Sequence, residues 1–155
     1  MLFRSAWGPT ALLPVFQILG TDYKDLRLVS LFADKESKMD VFTKVDLIYD
    51  SAVATTKVGR GVKAEGELII AGTEGYIYVP APWWKTDYFE VRYENSENNK
   101  RYFYQLDGEG IRYEIVAFVK AIQKGADNSY IDQSVSCSIA QIMERFYNDS
   151  NIELK

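Results

Sequence analysis

Apolar positions follow three rhythms along the chain, and each predicts a different kind of element. From Ala11 to Leu19 almost every position is apolar, broken only by Pro14 and Gln17 and closed by Gly20, which predicts a short buried helix over 10–19. From Leu26 to Glu94 the pattern becomes short runs rich in Val, Ile, Thr, Tyr and Phe, separated by Gly, Asp and Pro clusters. That is the pattern of strands, expected at 26–33, 41–49, 52–58, 64–71, 75–79 and 87–94, with another at 100–106. Asp50-Ser51 fits a tight hairpin turn, and Asn95 to Asn99 a longer polar one. After Asp107-Gly108-Glu109-Gly110 the period lengthens again: Ile111, Ile115, Phe118, Val119 and Ile122 form one face of a helix closed by Lys124-Gly125. Ile131, Val135, Ile139, Ile142, Met143 and Phe146 repeat the spacing in a last helix, with Asn128 or Ser129 placed to cap it.

Several of the expected strands are apolar or aromatic on both faces. Val41, Val45, Leu47 and Tyr49 point one way while Phe42 and Ile48 point the other, and Tyr102, Tyr104 and Leu106 oppose Phe103. A sheet with one solvated face alternates more cleanly, so the second face is expected to meet another subunit, making a homo-oligomer.

At 155 residues, the chain is expected to form a single domain over 1–155. Its 18 Lys+Arg against 22 Asp+Glu give a net charge of -4, which lacks the basic excess that nucleic acid binding requires. Histidine is absent and Cys137 is the one cysteine, so imidazole chemistry, Cys/His metal sites and internal disulfides are excluded. No apolar run approaches the roughly 18 residues of a membrane span, and the start is a poor signal peptide, so a cytoplasmic location without membrane contact is expected. Cys137 lies near the apolar stripe of the last helix, where an inert core thiol is expected.

Candidate chemistry is sparse. Gly72-Thr73-Glu74-Gly75 reads as a hairpin turn, and no helix or Lys-Ser/Thr follows it to make a phosphate cradle. Gly59-Arg60-Gly61 and Gly108-Glu109-Gly110 lack the third glycine of a dinucleotide fingerprint, so no cofactor is expected on this chain. Trp83 and Trp84, after two prolines, can either stack on a sugar ring or serve as packing anchors. Asp46, Asp50, Glu65, Glu67, Glu90 and Glu114 form no two-carboxylate pair that spacing reveals.

The run Gly66 to Trp84, followed by Gly110 to Gly125, resembles the C-terminal domain of the Gfo/Idh/MocA family, NAD(P)-dependent oxidoreductases named for glucose-fructose oxidoreductase, inositol dehydrogenase and a rhizopine-catabolism protein. The likeness lies in a "GTEG" hairpin between two strands and a later helix of the form Tyr-Glu-x-x-x-Phe-x-x-Ala-Ile-x-x-Gly, both present in order. It implies an α+β fold: a large open, mainly antiparallel sheet with helices packed on one face and a partner subunit on the other. It also implies a Rossmann domain, with the glycine fingerprint and the catalytic lysine, ahead of residue 1. A further family motif, Asp-x-Gly-x-His/Tyr, aligns with Ala6 to Thr10 and places the acid on Ala6 and the His or Tyr on Thr10, while Gly8 is kept. The resemblance therefore implies a substrate-binding and oligomerisation domain of a sugar or polyol dehydrogenase, with no catalytic residue of its own. NAD or NADP belongs to the full-length family, and Trp7, Thr10, Trp83 and Trp84 are the substrate-binding candidates. The rival reading is a stand-alone ligand-binding or protein-interaction module derived from that domain.

Overall fold

Hairpin chemistry organises most of the chain. In the computed structural model, which describes residues 3, 7–34, 36–37, 39–60, 62–105, 107–108, 110–124 and 130–148, the order is α1 (Gly8–Leu19), β1 (Asp25–Asp34), β2 (Met39–Ile48), β3 (Val53–Gly59), β4 (Leu68–Ala71), β5 (Gly75–Val79), β6 (Tyr88–Tyr93), β7 (Lys100–Phe103), α2 (Ile111–Lys124) and α3 (Gln133–Asn148). The class is α+β, and every strand pair among the described residues is antiparallel. The strands fall in two open ladders, β1-β2-β3 and β4-β5-β6-β7, one in each of two compact units. The first unit joins residues 1–64 to 130–155, and the second is the intervening stretch 65–129.

In the first unit β1 and β2 alternate as half-buried strands should, with Leu26, Leu28 and Ser30 opposite Leu47, Val45 and Thr43. This face packs with α1 and α3 into a core of Leu12, Val15, Phe16, Leu26, Leu28, Val45, Leu47, Val58, Val135, Ile142, Met143 and Phe146. Phe3 closes it, its ring 5.0 Å from that of Phe146. Val45 is therefore covered by helices of its own chain and takes no part in an open face. The other face carries Arg27, Lys44, Asp46, Thr55 and Lys57 among exposed Val29, Leu31 and Val53.

The local signals place the turns and caps. Tyr49 N–H donates to the Ala52 carbonyl at 2.8 Å across Asp50-Ser51. Gly20, at φ +76°, ends α1 with its N–H on the Phe16 carbonyl at 3.0 Å. Pro14 sits inside α1 without ending it. The cap of α3 is Asp132, whose carboxylate accepts from Ser134 N–H at 2.7 Å. Asn128 and Ser129, the expected caps, lie outside the described residues. Cys137 is exposed: it falls two residues after Val135, about 200° round the helix from the buried stripe of Val135, Ile142, Met143 and Phe146.

In the second unit β4 and β5 form the hairpin expected at Gly72 to Gly75, closed by Gly72 N–H on the Gly75 carbonyl at 2.9 Å. Gly75 is required by crowding, since a Cβ there would lie 2.4 Å from the Arg92 carbonyl oxygen of β6. Residues 64–67 stay outside β4, because Gly66 takes φ +71° and leaves the extended region. Asn95 to Asn99 form the polar turn before β7, with the Asn99 side chain accepting from Tyr93 N–H at 2.8 Å. None of the unit's described residues is fully buried. The predicted apolar stripe of α2, Ile111, Ile115, Phe118, Val119 and Ile122, is exposed, and Ala117 and Ala121 form its half-covered side.

Candidate functional site

Two surfaces carry the side chains singled out by sequence, one in each unit. In the first, Trp7 precedes α1 and Thr10 lies in its first turn, both exposed. Gly8 between them admits no side chain: a Cβ would stand 2.1 Å from the carbonyl oxygen of Phe3. The segment is held from below by Asp40, a buried carboxylate whose Oδ2 accepts from the N–H of Phe3 at 2.8 Å and from the hydroxyl of Thr43 at 3.1 Å. Thr43 in turn shares a 2.8 Å hydrogen bond with Ser30 across β1 and β2. Ala6 lies outside the described residues.

Beside this turn, a cleft of about 630 Å³ opens between the start of α1 and α3. Ile139, Ala140 and Met143 give it an apolar floor, Pro9 stands at one side, and Glu144 and Tyr147 contribute a carboxylate and a phenol. Sequence reasoning missed Glu144 and Tyr147. Their signal was available in the helical spacing of 136, 140, 143, 144 and 147, which puts those positions on one side of α3.

In the second unit Trp83 and Trp84 sit on the turn after β5. Trp83 N–H donates to the Gly66 carbonyl at 2.9 Å and Lys85 N–H to the Pro82 carbonyl at 2.8 Å. The two indoles meet edge to face, centroids 5.8 Å apart at 88°. Trp83 is half-buried and Trp84 43% exposed, so the first ring is the more packed of the pair and the second the more open.

The second ladder also carries an ionic lattice that no sequence spacing announces. Glu90 of β6 accepts from Nε of Arg92 at 2.6 Å and from Nε of Arg101 at 2.8 Å, Arg101 reaching it from the neighbouring β7. Each guanidinium also lies over a tyrosine ring, Arg92 4.3 Å from the centroid of Tyr78 and Arg101 4.7 Å from that of Tyr88. The hydrogen bonds from Arg101 and then Arg92 hold the Glu90 carboxyl below its usual range. A hydrogen bond to Glu67 raises the phenol of Tyr78 above its ordinary value. Burial pushes the Asp46 carboxyl upward, but hydrogen bonds from Thr55 and Lys44 outweigh it and leave Asp46 below its ordinary value. These carboxylates are thus engaged by cations and hydroxyls rather than set in pairs for acid/base work.

Among the described residues, neither the Gly72/Gly75 pair nor the Gly108/Gly110 pair lies in the setting of a dinucleotide cradle. Gly72 and Gly75 belong to an antiparallel hairpin. Gly108 and Gly110 do precede a helix, but they follow a strand of an antiparallel ladder, whereas the dinucleotide cradle is built into a parallel strand-turn-helix unit.

Comparison of the sequence with family models and with curated proteins finds no match. Solved structures do match in fold. The chain superposes on the 3-ketoreductase KijD10 of Actinomadura kijaniata, determined with TDP-benzene and NADP, with a TM-score of 0.73 over 96% of this chain and 47% of that one, at 12% identity. It matches an oxidoreductase from Agrobacterium radiobacter, determined with NAD+, L-tartaric acid and magnesium, with a TM-score of 0.71 over 95% of this chain and 46% of that one, at 14% identity. It matches the UDP-N-acetylglucosamine 3-dehydrogenase GnnA of Acidithiobacillus ferrooxidans with a TM-score of 0.69 over 89% of this chain and 44% of that one, at 13% identity. The fold is that of a part of these oxidoreductases, and the chain spans about half the length of the structures it matches.

Proposed function

We propose that this chain is the C-terminal, substrate-side and oligomerisation part of an NAD(P)-dependent sugar or polyol dehydrogenase of the Gfo/Idh/MocA family, located in the cytoplasm and not catalytic by itself. The observation that carries the reading is the superposition of nearly the whole chain on less than half of KijD10. Hydride transfer requires a nicotinamide held against the substrate carbon, and the family's cofactor-binding half would supply it. The candidates for substrate contact on this chain are Trp7 and Thr10 at the start of α1 in the first unit and, taken separately, Trp83 and Trp84 on the turn after β5 in the second. Thr10 hydrogen-bonds a substrate hydroxyl but, with an aliphatic hydroxyl where the family motif has His or Tyr, does not take up its proton. A homo-oligomer contact through an open sheet face, where Val29, Leu31 and Val53 stand exposed among charged residues, completes the reading.

Calorimetric titration tests it. NAD+ and NADP+ should give no saturable heat with this chain, and a sugar or polyol that binds should bind about tenfold more weakly to Trp84→Ala, the loss of one stacking platform. Saturable nicotinamide binding at micromolar affinity would refute the reading. The cleft lined by Ile139, Met143, Glu144 and Tyr147 favours the rival, a stand-alone ligand-binding module. Micromolar binding of a small ligand that is lost in Glu144→Gln and unaffected in Trp84→Ala would decide for that rival.

A further inference from the structure

The outermost strand of the second ladder is β7, and its outer edge has no strand beside it among the described residues. Tyr104 N–H donates to the Asp87 carbonyl at 2.7 Å, and Tyr102 stands opposite Phe89 and Lys100 opposite Val91. Because backbone groups alternate in direction along an antiparallel strand, residues 100, 102 and 104 face β6, while Arg101 and Phe103 turn their N–H and C=O groups outward. Such an edge is normally guarded by charged side chains. Here Arg101 is drawn back over its own sheet, onto Glu90 and the ring of Tyr88. Past Lys100 at the start of the strand, what remains at the edge is aromatic: Phe103 is 72% exposed and Tyr104 64%.

We propose that β7 pairs edge to edge with β7 of a second copy of this chain, about a two-fold axis through Tyr102. A two-fold axis that continues the ladder stands perpendicular to the sheet, so paired residues keep the same face. Centred on Arg101, the pairing would set that residue against the partner's Arg101. Centred on Tyr102, it sets Arg101 opposite the partner's Phe103 and Lys100 opposite the partner's Tyr104, so each cation meets an aromatic ring. The outward backbone groups agree with this register: Arg101 and the partner's Phe103 form a hydrogen-bonded pair that exchanges both N–H···O bonds, and the same pair recurs across the axis. Tyr102 and the partner's Tyr102 form the close, non-hydrogen-bonded pair between them. The contact is isologous and closes on itself, leaving no new edge from β7. It does not depend on the dehydrogenase reading and uses a different surface from the sheet-face contact.

The test uses the full chain with Cys137→Ser. Oxidised glutathione should convert Tyr102→Cys to a covalent dimer, since a non-hydrogen-bonded pair brings the two Cβ atoms within disulfide reach. Arg101→Cys and Phe103→Cys should stay monomeric on a non-reducing gel. Phe103→Pro removes an outward N–H without costing the β6–β7 ladder a bond, and should weaken association by at least about tenfold, read by light scattering with far-UV circular dichroism unchanged. If that variant does not fold, Phe103→Lys, opposite the partner's Arg101, should dissociate the pair, and Phe103→Glu should restore it. A chain that stays monomeric at tens of micromolar, a dimer indifferent to Phe103→Pro and Phe103→Lys, or cross-linking through Phe103→Cys in place of Tyr102→Cys would overturn the proposal.

Discussion

Replacing Asp40 tests how the turn that presents Trp7 and Thr10 is held. The carboxylate is 2% exposed and accepts from the N–H of Phe3 and from the hydroxyl of Thr43. In Asp40→Ala the Thr43 hydroxyl retains Ser30, but the buried N–H of Phe3 loses this acceptor. A hydrogen bond to a charged group contributes about 1.5–3 kcal/mol, and an orphaned buried donor costs about 1–3 kcal/mol. These describe the same loss from two sides, so the expected destabilisation is about 2–4 kcal/mol once the small void is included. Against a total stability of about 5–15 kcal/mol that is a large fraction. Asp40→Asn keeps the shape: with its amide oxygen in the place of Oδ2 it still accepts from both Phe3 N–H and the Thr43 hydroxyl, and only the charge is lost. The cost should fall to about 1 kcal/mol. Urea unfolding followed by far-UV circular dichroism measures both. In a chain with Trp83→Phe and Trp84→Phe, the emission of Trp7 reports loosening of the α1 start before global unfolding. Asp40→Ala within about 0.5 kcal/mol of the parent, or equal to Asp40→Asn, would show that the carboxylate does not hold Phe3 in place.

Two further outcomes are expected. Thr56→Val should raise stability by about 1 kcal/mol in denaturant titration, because Thr56 Oγ1 is buried with no hydrogen-bond partner on a strand opposite Val45, and valine keeps the shape without the hydroxyl. A loss of stability would mean that the hydroxyl is satisfied. Glu90 ionises in the fold below its ordinary value of 4.5, so its lattice with Arg101 and Arg92 contributes at neutral pH and is lost as acid protonates it below that value. The stability difference between the parent and Glu90→Gln, followed from about pH 6 to about pH 2, should therefore hold near neutrality and vanish only below the ordinary value. A difference that disappears above it would contradict the ion lattice.

Local signals in the sequence determined the elements themselves. Asp50-Ser51, Gly72 to Gly75 and Asn95 to Asn99 each turn the chain as their composition predicts, and Gly20 ends α1, because a turn or cap is satisfied by its own backbone within a few residues. Periodicity likewise identified α2 and α3, yet it reports only which residues share a face, and not what that face meets. The stripes of α2 and α3 look alike in sequence, but Ile142 and Phe146 are buried while Ile115 and Phe118 are exposed. Val45 could have faced either a helix or a partner, and only the packing of α1 and α3 decided it. The cross-strand bonds of Arg101 to Glu90 and the 37-residue reach from Asp40 to Phe3 were equally invisible, because each depends on strand register and chain return that no local spacing encodes. Tertiary structure alone set Glu144 and Tyr147 beside the start of α1, since a cleft exists only once two distant helices are packed together.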